Sequence, residues 1–340
     1  MGGVFAMKLG RGSFKFNDVY VKNTCIAIGK LEAQGKLKSY ADIVYNDNYF
    51  GEKSFEAAER KMQKDVIGRL KAKEFLTDLD IDLLVGGDLI NQEIVSLLAM
   101  KDFNIPLISL FSACATFSLA TIISSVFIDN KLVNRAISMA SSHNLSAERT
   151  FRYPVEYGGA KEETTTNTLT GCGAMLLTSK KTAIKVTEAT IGKVIDVNYN
   201  NSFDMGSAMA PAAIETILEH FNAFNTSPKD YDLILTGDLS QIGRSIVQKA
   251  LNDSYPNTKN YDDCGLIAYD YFEQDVFCGG SGCGCVATVV AGYIYDKLMH
   301  GEIKKVLVCA TGALMNQTST LQKESISAIA HAFTLEGEWK

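Results

Sequence analysis

The chain is expected to fold as an α/β protein of two pseudo-symmetric halves, each a mixed, mostly parallel sheet with helices on its faces. A repeat and an alternation carry this reading. The segment "DIDLLVGGDL", from Asp80, returns as "DYDLILTGDL" from Asp230, with Asp80, Asp82, Leu83, Gly87, Asp88 and Leu89 matched identically 150 residues later. In both halves, short apolar runs of strand length alternate with longer stretches of helical spacing, separated by glycine turns. That alternation predicts parallel strands joined by crossover helices.

In order, the first half opens with the helical stretch "EKSFEAAERKMQKDVIGRLKAKEFL". The strand in "DIDLLVGGD", a second helical pattern in "INQEIVSLLA" and the strand "IPLISLF" follow. The small-residue loop "SACA" then leads into the apolar helix "TFSLATIISSVF" and the strand "RAISMASS". The second half repeats the order with the helix "MAPAAIETILEHFNAF", the strand in "DYDLILTGD", the loop "CGGSGCG", an apolar helix and the strand "KKVLVCATG". Ala120-Thr121 and Asp129 in the first central helix are matched by Ala287-Thr288 and Asp296 in the second. The division is placed near residue 190, around "TEATIGKVIDVN", giving halves of residues 1–190 and 191–340.

Composition narrows the function classes. With 340 residues, 46% hydrophobic and 21% charged, the chain has ample core for such a fold. A formal net charge of −6 argues against nucleic acid, whose phosphates need a basic surface. No segment has the eighteen or so uncharged apolar residues that span a bilayer, and the N-terminus lacks a run of secretory length. Eight cysteines scattered over a large chain suggest a reducing compartment rather than a disulfide framework. The expected location is cytoplasmic and soluble.

Cys114 is the main chemical candidate. It stands at the start of the apolar helix, where unpaired backbone N–H groups and the helix dipole favour a thiolate. The alternative is a small buried hydrophobe that packs as alanine would. Cys278, Cys283 and Cys285 invite a zinc reading, but no fourth ligand accompanies them and no metal is assigned. The glycines at 279, 280, 282 and 284 are better explained by close backbone approach and φ freedom at a helix start. His220 and His300, at the ends of amphipathic helices, read as surface or capping residues.

The stretches "SACATFSLA", "SSHNLSAERTFRYPVEYG", "MGSAMAPAA", "CGGSGCG" and "ATGALMNQTSTLQKESISAIAHAFTLE" resemble the stage V sporulation protein AD family. That family resembles in turn the thiolase-like fold of thiolases and β-ketoacyl synthases. The resemblance implies helices between two sheets and a homodimer paired through "PLISLFS". It also implies a role in moving dipicolinate (pyridine-2,6-dicarboxylate) in spores, as a soluble member of a membrane channel assembly. Contact with the inner spore membrane is expected through protein partners, since an acidic chain without lipidation sites does not hold a bilayer unaided.

A condensing enzyme built on Cys114 needs an oxyanion hole and histidine from the second half. The segment that carries one such histidine in the acyl-CoA-using synthases reads "GDLSQ" here, so the resemblance puts Asp238 or a near neighbour in its place. An aspartate, with an ordinary pKa of about 4, is anionic at neutral pH and opposes oxyanion chemistry. His331 is read as a satisfied core histidine on a segment that runs towards the centre. The chain is therefore expected to be non-catalytic and without cofactor, calcium entering only as part of the ligand. The expected ligand is dipicolinate or its calcium chelate, bound by Cys114, Phe111, His143, Asp238, Gly280, Gly282 and Cys283. Phe117 is a second candidate to flank the ring, and Arg149 or Arg152 to meet a carboxylate. An acyltransferase using Cys114 and a docking subunit with a vestigial pocket are the competing readings.

Overall fold

The computed structural model describes residues 7–151 and 161–338. Five principal strands make the first sheet: β1 (Tyr20–Ile28), β2 (Leu83–Gly87), β3 (Leu107–Ser109), β4 (Arg135–Ser142) and β5 (Gly171–Thr178), in the order β1-β5-β4-β2-β3. Five more repeat it: β6 (Ile184–Ile191), β7 (Leu233–Thr236), β8 (Tyr261–Asp263), β9 (Lys305–Leu314) and β10 (Ser327–Gly337), in the order β6-β10-β9-β7-β8. In each set the last strand runs antiparallel between two neighbours, and the other pairs are parallel. The sheets touch edge to edge where Ile184 and Lys185 pair with Val21 and Tyr20. The strand order thus repeats from Ile184, and the division expected near residue 190 falls at the far end of β6.

Helix α1 (Phe55–Lys73) starts where the Ser54 side chain accepts the Ala57 N–H, and it ends with Lys71 and Lys73 against the helix dipole. Its buried stripe, Ala58, Met62, Val66 and Leu70, recurs every fourth residue and packs on β1 and β5. Each larger side chain there gains about 1.5 to 3 kcal/mol from burial. Helix α2 (Ile94–Met100) is shorter than its pattern suggests, because Gln92 and Glu93 before it are left-handed.

Helix α3 (Thr116–Asp129) is apolar on nearly every face and touches strands of both sheets, as its place between the layers requires. A short α4 (Asn144–Phe151) follows β4. On the outside of the second sheet lie α5 (Met205–Phe224), capped by Asp204 and ended by left-handed Asn225, and α6 (Ser240–Ser254). The second central helix is α7 (Cys283–Thr288), which continues through a π-helical turn, Val289–Ile294, into α8 (Tyr295–Met299).

The layers therefore run helix, sheet, helix, sheet, helix. The largest core cluster lies around α3 and α7 between the sheets, with a smaller cluster under each outer layer. Among the described residues no helix is long and apolar enough to cross a membrane.

Candidate functional site

The site forms where the two copies face each other. Strand β3 ends at Ser109, and the chain turns through Ser112, Ala113 and Cys114 into α3. Ala113 has φ +46°, left-handed backbone that a residue with a Cβ holds only under constraint. The constraint is local: the Ser112 N–H donates to Thr116 Oγ1 (3.1 Å), and Thr116 Oγ1 donates to the Ala113 carbonyl (2.7 Å). Gly312 on β9 backs the turn, since a Cβ there would lie 2.5 Å from the Ser112 carbonyl oxygen and 3.3 Å from the Cys114 nitrogen. The result is a buried thiol, 8% exposed, at the head of α3.

Asp238 follows β7 and is fully buried, with Thr311 Oγ1 of β9 donating to its Oδ1. Its Oδ2 has no nitrogen or oxygen partner. The Asp238 carboxyl and the Cys114 thiol interact directly. Burial first, then the charge and acceptor oxygen of Asp238, push the thiol well above its ordinary range, with only the Gly282 N–H opposing. Burial also raises Asp238 to about 7, with Thr311 lowering it and the Asp263 charge raising it further. The expected thiolate at a helix start is therefore overturned. The α3 dipole is outweighed by desolvation and by a carboxylate beside the sulfur.

His331 comes from the opposite side. It lies on β10 paired with Ala310 of β9, and its Nε2 is 2.9 Å from Ser112 Oγ. Burial lowers it to about 4, so the ring is neutral at physiological pH, and Nδ1 has no partner. It is a core histidine within two residues of Cys114 in the chain contact it makes. The site thus has a protonated thiol, a carboxyl that titrates near neutrality and one neutral imidazole bonded to serine.

The other expected residues divide. Gly282, φ +100°, joins the site through its N–H. Cys283 begins α7 and spends its thiol on the Ser141 carbonyl at 2.9 Å. Gly280 packs against the Tyr269 ring, and its carbonyl accepts from Ser240 Oγ at 2.7 Å. His143 does not join the group. Its Nε2 is 2.8 Å from the Asn48 carbonyl, and its ring sits by Phe50 and Phe55, because the chain leaves β4 towards α1 there. Phe117 is fully buried in the central core, and Arg149 pairs with Glu56. Arg152 lies outside the described residues. His220, expected at the surface, is fully buried, with Thr190 and Thr334 hydroxyls at 2.9 and 3.2 Å. The spacing of α5 turns it onto the sheet. His300 is exposed at its helix end, as expected.

Phe111, next in the chain to Ser112, is half exposed and lines a cleft of about 250 Å³ with Leu89, Gln92, Phe151, Met315 and Asn316 in its wall. Among the described residues no charged side chain lines this cleft. Among the described residues no three histidine, cysteine or carboxylate side chains are grouped to hold a metal ion. Sequence reasoning missed Thr311, Ser112 and Gly312. Their signal was the small-residue composition of "ATGAL" and "FSACA", where two backbones must approach closely.

Three comparisons bear on this geometry. The family model described as Stage V sporulation protein AD matches residues 10–336. The Stage V sporulation protein AD of Bacillus subtilis (strain 168) is 44% identical over 333 residues, which cover 97% of this chain and 98% of that protein. Among solved structures, 3-oxoacyl-[acyl-carrier-protein] synthase III from Aquifex aeolicus VF5 is similar with a TM-score of 0.55 at 12% identity, covering 94% of this chain and 99% of that one. Cerulenin-bound OleA of Xanthomonas campestris gives a TM-score of 0.60 at 11% identity, covering 94% and 97%. These structures share the thiolase-like fold with this chain.

Proposed function

The chain belongs to the stage V sporulation protein AD family, and on that premise we propose that it binds dipicolinate, or its calcium chelate, without covalent chemistry in the crevice around Cys114. The role is dipicolinate uptake into the spore during sporulation and release during germination. The observation that carries the non-catalytic reading is Asp238 beside the thiol, where a condensing enzyme would need an imidazole. A nucleophile whose neighbour raises its pKa is poorly activated, and a carboxylate cannot stabilise an oxyanion.

The same charges favour one form of the ligand. Asp238 sets a buried carboxyl beside the thiol, and among the described residues no charged side chain lines the Phe111 cleft. A free dianion would meet repulsion there, whereas a calcium chelate carries its own cation and presents a flat ring to Phe111. Calorimetric titration with dipicolinate, with and without calcium, tests this. Heat in the calcium arm supports it, and no heat in either arm at millimolar ligand overturns it. Incubation with acyl-CoA and intact mass measurement is expected to show no adduct on Cys114.

Assembly follows the same premise. Edge strand β3 pairs only with β2 among the described residues, and Ile94, Leu97 and Leu98 on the neighbouring α2 are partly exposed. A twofold pairing of β3 with its copy in a homodimer would cover that edge. Membrane association would run through protein partners of the same sporulation assembly.

A further inference from the structure

The first-half partner of Asp238 in the repeat, Asp88, belongs to a separate buried network. Its carboxylate accepts the Ile90 N–H (2.8 Å), the Ser96 N–H (2.8 Å) and the Ser96 hydroxyl (2.6 Å). Glu93 folds back so that its Oε2 accepts the Asp88 N–H at 2.6 Å. Glu59 of α1 accepts the Ser141 and Ser146 hydroxyls at 2.8 and 3.1 Å. Gln63, one turn further along α1, donates its amide to Ser96 Oγ and Ser141 Oγ at 3.0 and 2.8 Å. Both serine hydroxyls give their protons to carboxylates, so the amide orientation is set. Gln63 Oε1 and Glu93 Oε1 are left buried without partners.

No cation is seen to balance these acids among the described residues. Among the described residues, the groups acting on them are one another and the serine and backbone donors. From the packed elements, Cys283 of α7 and Cys172 of β5 face the group as neutral thiols. His143, at the end of β4, keeps its ring with Phe50, Phe55 and the Asn48 carbonyl. Three carboxylates in such surroundings cannot all be charged. The charge sits best on Asp88, which takes three hydrogen bonds, while Glu93 and Glu59 carry protons. Burial and the Asp88 charge raise Glu93 to about 9 and Glu59 to about 8.

The loop that carries Glu93 is strained. Gln92 and Glu93 are consecutive left-handed residues, φ +64° and +55°, a backbone that persists only while its surroundings enforce it. The loop seats on Gly87 against the Leu110 carbonyl, next to Phe111, and Leu89, Gln92 and Phe111 share the wall of one cleft. We propose that the Asp88–Glu93 loop is a pH-sensitive latch on the wall of the Phe111 cleft, beside the turn that leads to Cys114, closed while Glu93 is protonated and released when it ionises. That the latch regulates ligand entry rests on the function proposed above; its existence does not.

Hydrogen exchange of the ligand-free protein from pH 7 to pH 10, corrected for intrinsic chemistry, tests it. Exchange at 88–96 is expected to rise at least tenfold while α5 stays protected, and Glu93→Gln, which keeps the acceptor for the Asp88 N–H, is expected to stay flat. A flat wild-type profile, or the same rise in Glu93→Gln, overturns the latch. If Glu93→Gln does not fold, Glu59→Gln serves instead. Removing the Glu59 charge lowers the Glu93 pKa, so the opening midpoint moves to lower pH, and an unmoved midpoint counts against the proposal. Because no ligand is present, this outcome is independent of the dipicolinate titration.

Discussion

Replacing Asp238 by asparagine keeps the shape and the Thr311 hydrogen bond but removes the ionisable group. In the folded protein Asp238 titrates at about 7, mainly through burial, against about 4 in an unfolded chain. A carboxyl with a raised folded pKa binds more protons folded than unfolded between those values. Its contribution therefore leaves the fold most stable at low pH, weakens it as pH rises through that window, and levels off above pH 7. Integrated from pH 5 to pH 8, the linkage amounts to about 2 to 3 kcal/mol. Urea denaturation at unit steps of pH should show wild type losing that much more stability than Asp238→Asn across the range. Parallel profiles, or wild type gaining on the variant as pH rises, would refute a buried carboxyl at the centre of this site.

Other consequences follow from the same geometry. Gly312→Ala puts a Cβ against the Ser112 carbonyl and the Ala113 side chain, so it should cost about 1 to 3 kcal/mol and abolish any dipicolinate heat. Calorimetry beside thermal unfolding checks both. Ser112→Ala leaves His331 with neither ring nitrogen bonded, and a loss of about 1 to 3 kcal/mol in urea is expected. Ile108→Lys places a charge on the edge strand, where Ile108 also packs partly on the central core, and should convert the proposed dimer to monomer in sedimentation with a lowered melting temperature. On the acid side, burial and then the Lys305 charge lower His220 to about 3. A histidine depressed in the fold takes its proton only when unfolded, so its stability is present above pH 6.5 and lost as pH falls towards 3. His220→Asn should remove about 2 kcal/mol of that loss between pH 7 and pH 5.

The repeat was legible because both copies must build the same strand, turn and helix. Asp80 to Leu89 and Asp230 to Leu239 keep their identities where backbone geometry leaves few choices. The duplication foretold two sheets of like strand order, and "GDLSQ" carries Asp238, which the fold sets beside the Cys114 thiol. The outer strands of each set were less visible. β1 pairs with β5 and β6 with β10 across long stretches of chain, and β1 and β5, buried at nearly every residue, lack the alternation that marks a half-exposed strand.

What only the folded chain decided is which side chains share a space and how wet that space is. His331 and Ser112 are 219 residues apart and meet because β10 passes the Cys114 turn. His143, one residue past β4, turns away to α1. Protonation is decided at the same level. A helix start alone favours a thiolate at Cys114, but a water-poor layer between two sheets, with a carboxyl beside the sulfur, keeps the proton on. Local pattern specifies elements. Charge state depends on the dielectric and the neighbours, which exist only once distant segments have packed.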